Sequence, residues 1–587
     1  MLSELGDFDG FMEKLVSDWN VPGIGVSIVR DEEVVLAKGY GYRDHASKLP
    51  FTAATWFPIA SNTKLFTAVA AGLLVDRGLL SFDRPIREFV PSLRFYDKTL
   101  DEAVTLRDML GHRTGVPRHD MIWYEARLSL KELFERIRFM KPTAPLRSKF
   151  IYNNMMYEAV GHIMELLSGK RWDHFVRDEI LTPLGMTQTA FTIADMLTQP
   201  EPAVPFLEKR DSDELWQPPY MDTDESSPAG SIVATMDDMS RWLLMLVNNG
   251  RVAGTQVIPE RILKATLAPG IAMPDMMNDV LGFTPELNAI YGMGRQTASY
   301  RGHLLTSHGG DLRAFHSQVS YLPNEKIGVN VFIIGDHCAL LRNAVGYEIY
   351  DRLLGLPPTD WIQREFDFTR RARSSLREAR QRVVPGPVPD TRPSHDLASY
   401  VGRYEHPAYG PLSISLENDQ LQFVFRKTHL PLNHFHYDRF DSPDDEVEGA
   451  WSVLFQTSPL GDIDRAVLWI DQAEAVFRRA PETVPQSVLD KITGTYVTAI
   501  GIKAVVRLNR EQKLTLRFAN GPAEILVPFK DLQFRSYLSP KTTFEFVMDG
   551  DRVKALRHWN AIAEFVLTRS EDSGTIDTME EDEPADD

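Results

Sequence analysis

Cysteine is almost missing: 587 residues hold one, Cys338. That excludes an internal disulfide and any all-thiolate metal site. No run of roughly eighteen or more apolar residues occurs, so no segment reads as a membrane-spanning helix. The opening residues, MLSELGDFDGFMEKLVSDW, carry acids where a secretory leader needs a basic stretch, and no apolar run follows. The expected compartment is the cytoplasm. Bases are absent from the last seventeen residues, EDSGTIDTMEEDEPADD, which hold nine acids. Half of the net charge of −18 therefore sits in a tail expected to be disordered. The remainder is mildly acidic, which disfavours nucleic acid as a partner and offers no polybasic membrane footprint. GxSxG, HExxH, P-loop and Rossmann patterns are also missing, so no metal or organic cofactor is implied.

The length suggests about three or four domains. Residues 1–356 alternate strand-like and helix-like stretches. GIGVSIVR and EVVLAKGYGY meet at Asp31 and Glu32 as a hairpin, and AFHSQVSYL and IGVNVFIIGD flank PNEK as a second. Residues 8–19 fit an amphipathic helix, and MMYEAVGHIMELLSG, WDHFVRDEIL and ALLRNAVGYEIYDRLLG are helical. The economical assembly is α+β, an antiparallel sheet built from both ends of the segment with helices around it. Residues 357–395 read as a linker, with a basic stretch TRRARSSLREARQR expected to lie on an acidic neighbour, then VVPGPVPDTRP. A repeat of about ninety residues follows, LASYVGRY answered by LDKITGTY, and divides the rest into two small all-β barrels, 396–481 and 486–570. Residues 571–587 are the acidic tail. The barrels are expected to pack on the first segment and shape its cleft. His429, His434 and His436 suggest a metal, but no carboxylate or cysteine spacing completes a site.

The chemistry is concentrated in three short stretches. FPIASNTKLFTAVAAGLL (57–74) begins an apolar helix with Ser61 and places Lys64 one turn later on the same face. A buried lysine is expensive unless something compensates or uses it. IYNNMMY (151–157) places Tyr152 and Asn154 before a helix, and LLTSHGGDLRAFHS (304–317) places His308, Gly309 and Gly310 before an expected strand. In this order, SxxK, YxN and HxG, the chain resembles the serine β-lactamase and penicillin-recognising hydrolases, peptidase family S12. The branch includes class C β-lactamases, D-aminopeptidases and related esterases. TLRDMLGHRTGVP (105–117) and PAGSIVATMDDMSRWL (228–243) resemble further signatures of it. The resemblance covers about residues 8–355 and implies a β-lactamase/transpeptidase-like catalytic domain, with two lipocalin-like barrels as in the D-aminopeptidases.

It also implies roles. Ser61 is the nucleophile, and Lys64, its pKa lowered toward a working value by desolvation, or Tyr152, its phenol acidified by Lys64, is the base. Asn154 holds Lys64 and contacts the substrate amide. The N–H groups of Ser61 and Asp311 form the oxyanion hole, and Gly309 and Gly310 admit the substrate. His308 stands where class C enzymes carry a lysine that suits a substrate carboxylate, and Arg313 is the candidate replacement. The expected activity is a D-aminopeptidase- or amidase-like serine hydrolase acting on small-molecule or short-peptide substrates, with an esterase or β-lactamase as alternatives. A catalytically idle binding or assembly scaffold, acyl transfer to an acceptor other than water, and a homo-oligomer remain possible.

Overall fold

The central element is an antiparallel sheet of nine strands closed by both ends of the first segment. The computed structural model describes residues 3–221, 227–274, 285–381, 386–458, 460–471, 473–536, 542–560 and 562–570. The acidic tail and residues 382–385 of the proline-rich stretch lie outside the described residues. The strands are β1 (Gly23–Arg30), β2 (Glu33–Asp44), β3 (Leu49–Pro50), β4 (Ile271–Ala272), β5 (Glu286–Tyr291), β6 (Gln296–Tyr300), β7 (His303–Leu312), β8 (Phe315–Leu322) and β9 (Ile327–Ile334). Their spatial order is β4-β5-β6-β7-β8-β9-β1-β2-β3. β1 pairs with β9 from Gly23↔Ile334 to Arg30↔Ile327, and both are buried on both faces, which explains their largely apolar sequences; the buried exceptions pair with each other, Asn330 donating to Ser27 Oγ at 2.9 Å.

Helices cover both faces. On one lie α1 (Phe8–Asp18), α5 (Leu341–Leu354) and α6 (Trp361–Gln381), which share an apolar core with the sheet. On the other lie α2 (Thr63–Asp76), α3 (Asn154–Ser168) and α4 (Met236–Val247). The segment expected as a linker thus begins with a docked helix. Trp361 is buried and donates to Asp351 Oδ2 at 2.9 Å, while Arg373 and Arg377 pair with Glu208 and Asp213.

The two barrels are closed, each of eight antiparallel strands, running from Gly402–His406 to Ala473–Arg479 and from Gly494–Thr498 to Glu564–Arg569. The repeat has a shared physical device. Tyr404 donates to the Tyr400 carbonyl at 2.8 Å, and Tyr496 donates to the Ile492 carbonyl at 2.7 Å. Arg479 and Arg569, opposite those tyrosines on the closing strands, each donate to carbonyls of the preceding turn. The first barrel is filled by Tyr400, Tyr404, Phe423, Phe440, Phe455 and Phe477, so its interior is a packed core. His434 donates its Nε2 proton to the Tyr437 carbonyl, and a register shift falls between His434 and His436. Among the described residues no cluster of three or more His, Cys, Asp or Glu could hold a metal.

One apolar core runs from the sheet through the helical layer into the first barrel, whereas the second barrel has its own. Polar links between the barrels include Arg535 to Asp462 and the Asp531 N–H to Glu482. Calorimetry should therefore show two transitions, the smaller from the second barrel unfolding by itself. A single cooperative transition contradicts this division.

Candidate active site

Ser61 lies in a single 3-10 turn, Ala60–Asn62, immediately ahead of α2, rather than within the helix. Ala60 adopts φ 48°, a left-handed conformation disfavoured for alanine, so the turn is held by its surroundings. Two of those are close. Asn62 donates to Ser317 Oγ at 2.7 Å, and Ser317 donates to the Ile59 carbonyl at 2.7 Å. Gly310 of β7 completes the contact: a Cβ there would fall 2.2 Å from the Ile59 oxygen. His308, Gly309 and Gly310 thus lie inside a strand and not before one. β7 continues because β8 pairs with it as far as Leu312↔Phe315. β6 pairs with it only to Ser307, so the other edge from His308 onward carries no strand partner and borders the cavity.

Lys64 is completely buried. Its ammonium donates to Ser61 Oγ at 3.1 Å and to the Ala229 carbonyl at 2.7 Å. The nitrogen also lies over the rings of Tyr152 (5.0 Å) and Tyr157 (5.3 Å). Burial pulls its pKa down to about 7, against the opposing charges of Glu158 and Asp120. Burial pushes the Tyr152 phenol in the opposite direction, well above its ordinary value, with a hydrogen bond to Ser61 opposing. Tyr152 is fixed through its neighbour: the Asn153 N–H donates to His112 Nδ1 at 3.1 Å, and the Asn153 side chain caps α3 and donates to the Pro117 carbonyl.

Asn154 is turned differently from expectation. Its amide donates to Asp120 Oδ1 at 2.9 Å, and the place beside Lys64 is taken by the Ala229 carbonyl. Asp120 also accepts from Trp123 Nε1 and Arg118 Nε. His308 donates Nδ1–H to the Gly309 carbonyl at 2.7 Å and accepts from Tyr291 Oη at 2.9 Å. Burial and the nearby Lys64 depress its pKa to about 3, so the ring is neutral and supplies no cation. Arg313 does not replace that cation freely. It lies between Glu125 (3.6 Å) and Glu448 (3.7 Å), the latter from the first barrel, and donates to Tyr124 Oη at 2.5 Å. The Asp311 carboxylate, though burial opposes it, is held well below the usual range by His316 and Arg342.

Ser61, Tyr152, Asn154, His308, Gly309, Asp311 and Arg313 line one cavity of about 900 Å³. Its outer wall, residues 118–127, is clamped by the first barrel. Asp471 accepts the Met121 N–H at 3.0 Å, Arg426 donates to the Ile122 and Tyr124 carbonyls, and Tyr409 meets His119 Nδ1 at 2.7 Å. The first barrel thus shapes the cleft. Ser61, Tyr152, Asn154, His308, Gly309 and Asp311 come together at one cavity wall, with Lys64 behind Ser61 and Gly310 packed against Ile59. Sequence reasoning missed Asp120, Glu158, Tyr291 and the Ala229 carbonyl. Ala229 lies in PAGSIVAT, which was singled out, but nothing local marks its carbonyl as a ligand.

Comparison with known proteins gives the family and the fold. The Beta-lactamase family matches residues 8–342, and a domain of unknown function (DUF3471) matches 386–477, the first barrel. The unguisins hydrolase ungD of Aspergillus violaceofuscus is 27% identical over 438 residues, 70% of this chain and 76% of its own length. The octameric penicillin-binding protein homologue of Pyrococcus abyssi shares the fold with a TM-score of 0.54 at 22% identity, over 80% of this chain and 99% of that one. SurE does so with a TM-score of 0.50 at 20% identity, over 81% and 99%. Its matched residues make up more than half of the chain, and the protein belongs to the Beta-lactamase family.

Proposed function

We propose that the protein is a serine hydrolase that forms an acyl-enzyme on Ser61 from amide, peptide or ester substrates and releases it to water. The observation that carries this is Lys64, an amine without solvent exposure whose nitrogen is 3.1 Å from the Ser61 hydroxyl at the wall of the cavity. A buried ammonium costs several kcal/mol, and here the cost is offset by use. Lys64, neutral above about pH 7, takes the Ser61 proton as Oγ attacks the carbonyl. The oxyanion forms between the N–H groups of Ser61 and Asp311. The leaving amine or alcohol departs with the proton that Lys64 accepted, relayed by the Tyr152 hydroxyl, which burial keeps protonated. Water then repeats the sequence on the acyl-enzyme. The name of the Aspergillus relative supports hydrolysis as the outcome.

For the substrate, the neutral His308 and the committed Arg313 argue against a free carboxylate at this edge. Asp120, whose charge is felt by both Lys64 and Tyr152, offers an acceptor for a substrate ammonium. A D-aminopeptidase- or amidase-like activity on amine-bearing substrates fits this balance better than a β-lactamase.

A fluorophosphonate should add once to the protein, detected by intact mass, and not at all to Ser61→Ala. The rate of labelling should rise about tenfold per pH unit below pH 7 and level above it, because only the neutral lysine accepts the proton. Labelling that is independent of pH between 5 and 9 contradicts a lysine base. Asp120→Asn, which also alters the setting of Asn154 and Lys64, should lower kcat/KM for amino-acyl amides about 10–100-fold more than for their N-acetylated counterparts. Equal losses on both substrates contradict the amine assignment.

A further inference from the structure

A carboxyl group that the scheme above leaves unused lies one helical turn beyond Asn154. Glu158, on α3, is 1% exposed and faces the same cavity wall. Its Oε1 accepts from Ser227 Oγ, and its Oε2 has no hydrogen-bond partner among the described residues. The turn is therefore held at two points, Ser227 by Glu158 and, two residues on, the Ala229 carbonyl by Lys64 at 2.7 Å. The rest of this turn is equally tied to the two helices. Thr67 of α2 donates to the Pro228 carbonyl at 2.7 Å, and a Cβ at Gly161 of α3 would fall 2.1 Å from Pro228 Cγ. An apolar residue at position 158 would satisfy the packing of α3 without burying a carboxyl group at a cost of several kcal/mol. A structural role alone does not explain its chemistry.

We propose that Glu158 is a positioning residue for the Ser61 reaction: it holds the turn that supplies the second acceptor of Lys64, and its charge controls the protonation of that lysine. The proposal rests on the serine-hydrolase reading and extends it. Burial raises the Glu158 pKa to about 7, opposed by Ser227 and Lys64, so a buried acid and a buried amine exchange protons over the same pH interval. The sign is fixed by charge. An ionised Glu158 favours the lysine cation, and a protonated one releases Lys64 to act as the base. The other charged and titratable groups around the pair are Asp120 and Arg118 from the cavity wall, His112, Tyr152, Tyr157 of α3, and His308 from β7.

The test is the pH profile of Ser61 phosphonylation by a fluorophosphonate, in which the Oγ–P bond forms, fluoride leaves and Lys64 takes the hydroxyl proton. Glu158→Gln keeps a side chain that can accept from Ser227 but removes the charge. Its acid limb should move down by about one pH unit, so that labelling at pH 6 increases several-fold relative to labelling at pH 8.5. Ser227→Ala removes the donor that favours the Glu158 anion and should move the limb in the same direction by less; it decides the matter if Glu158→Gln does not fold. An acid limb unmoved in a folded variant, or a loss of rate equal at every pH, overturns the proposal and leaves the hydrolase reading intact. Failure of the parent protein to label at any pH overturns both.

Discussion

The fully buried Lys64 ammonium is the constraint around which the catalytic domain is organised. Desolvation makes the charged form costly, and the chain answers with one carbonyl, one hydroxyl and the faces of two tyrosine rings instead of a directly hydrogen-bonded carboxylate. That choice leaves the amine close to half-protonated near neutrality. Much of the surrounding architecture maintains it. α2 is apolar on nearly all sides because helices pack around it, and the turn at Ser61 is held in a disfavoured backbone conformation by β7 and β8. The approach of Gly310 to the Ile59 carbonyl fixes the distance between the strand edge and the serine.

The barrels contribute unequally. The first is continuous with the catalytic core and reaches the cavity through polar contacts of Asp471, Arg426, Tyr409 and Glu448. These hold residues 118–127, which carry Asp120 and Arg118, so the mouth of the site is built from two domains. The second barrel repeats the tyrosine and arginine closure of the first but has a separate core.

How much was legible follows from the range of each interaction. Ser61, Lys64, Tyr152, Asn154 and His308 through Asp311 stand in short motifs, and the hairpins Gly23–Asp44 and Phe315–Ile334 follow from alternation and turn residues. The barrel repeat is visible because the Gly-x-Tyr start and the closing strand recur at a separation of about ninety residues. The partners were not legible. The Ala229 carbonyl is 165 positions from Lys64 and Glu448 lies across a domain boundary from Arg313, with no local pattern to announce either. The strand position of His308 was misjudged because glycines suggest a turn, whereas here close packing against Ile59 demands them inside a strand. Asn154, expected to hold Lys64 through its amide oxygen, instead donates its amide N–H to Asp120, while the Ala229 carbonyl accepts from the ammonium.

The most direct measurement is an NMR titration of the Lys64 side chain in protein carrying ¹³C at lysine Cε, with Lys64→Met to assign the resonance. A midpoint near pH 7, separate from the other lysines, is the result this account predicts. A midpoint above pH 9.5 would mean that the amine stays charged at neutrality, and the nucleophile would need another base.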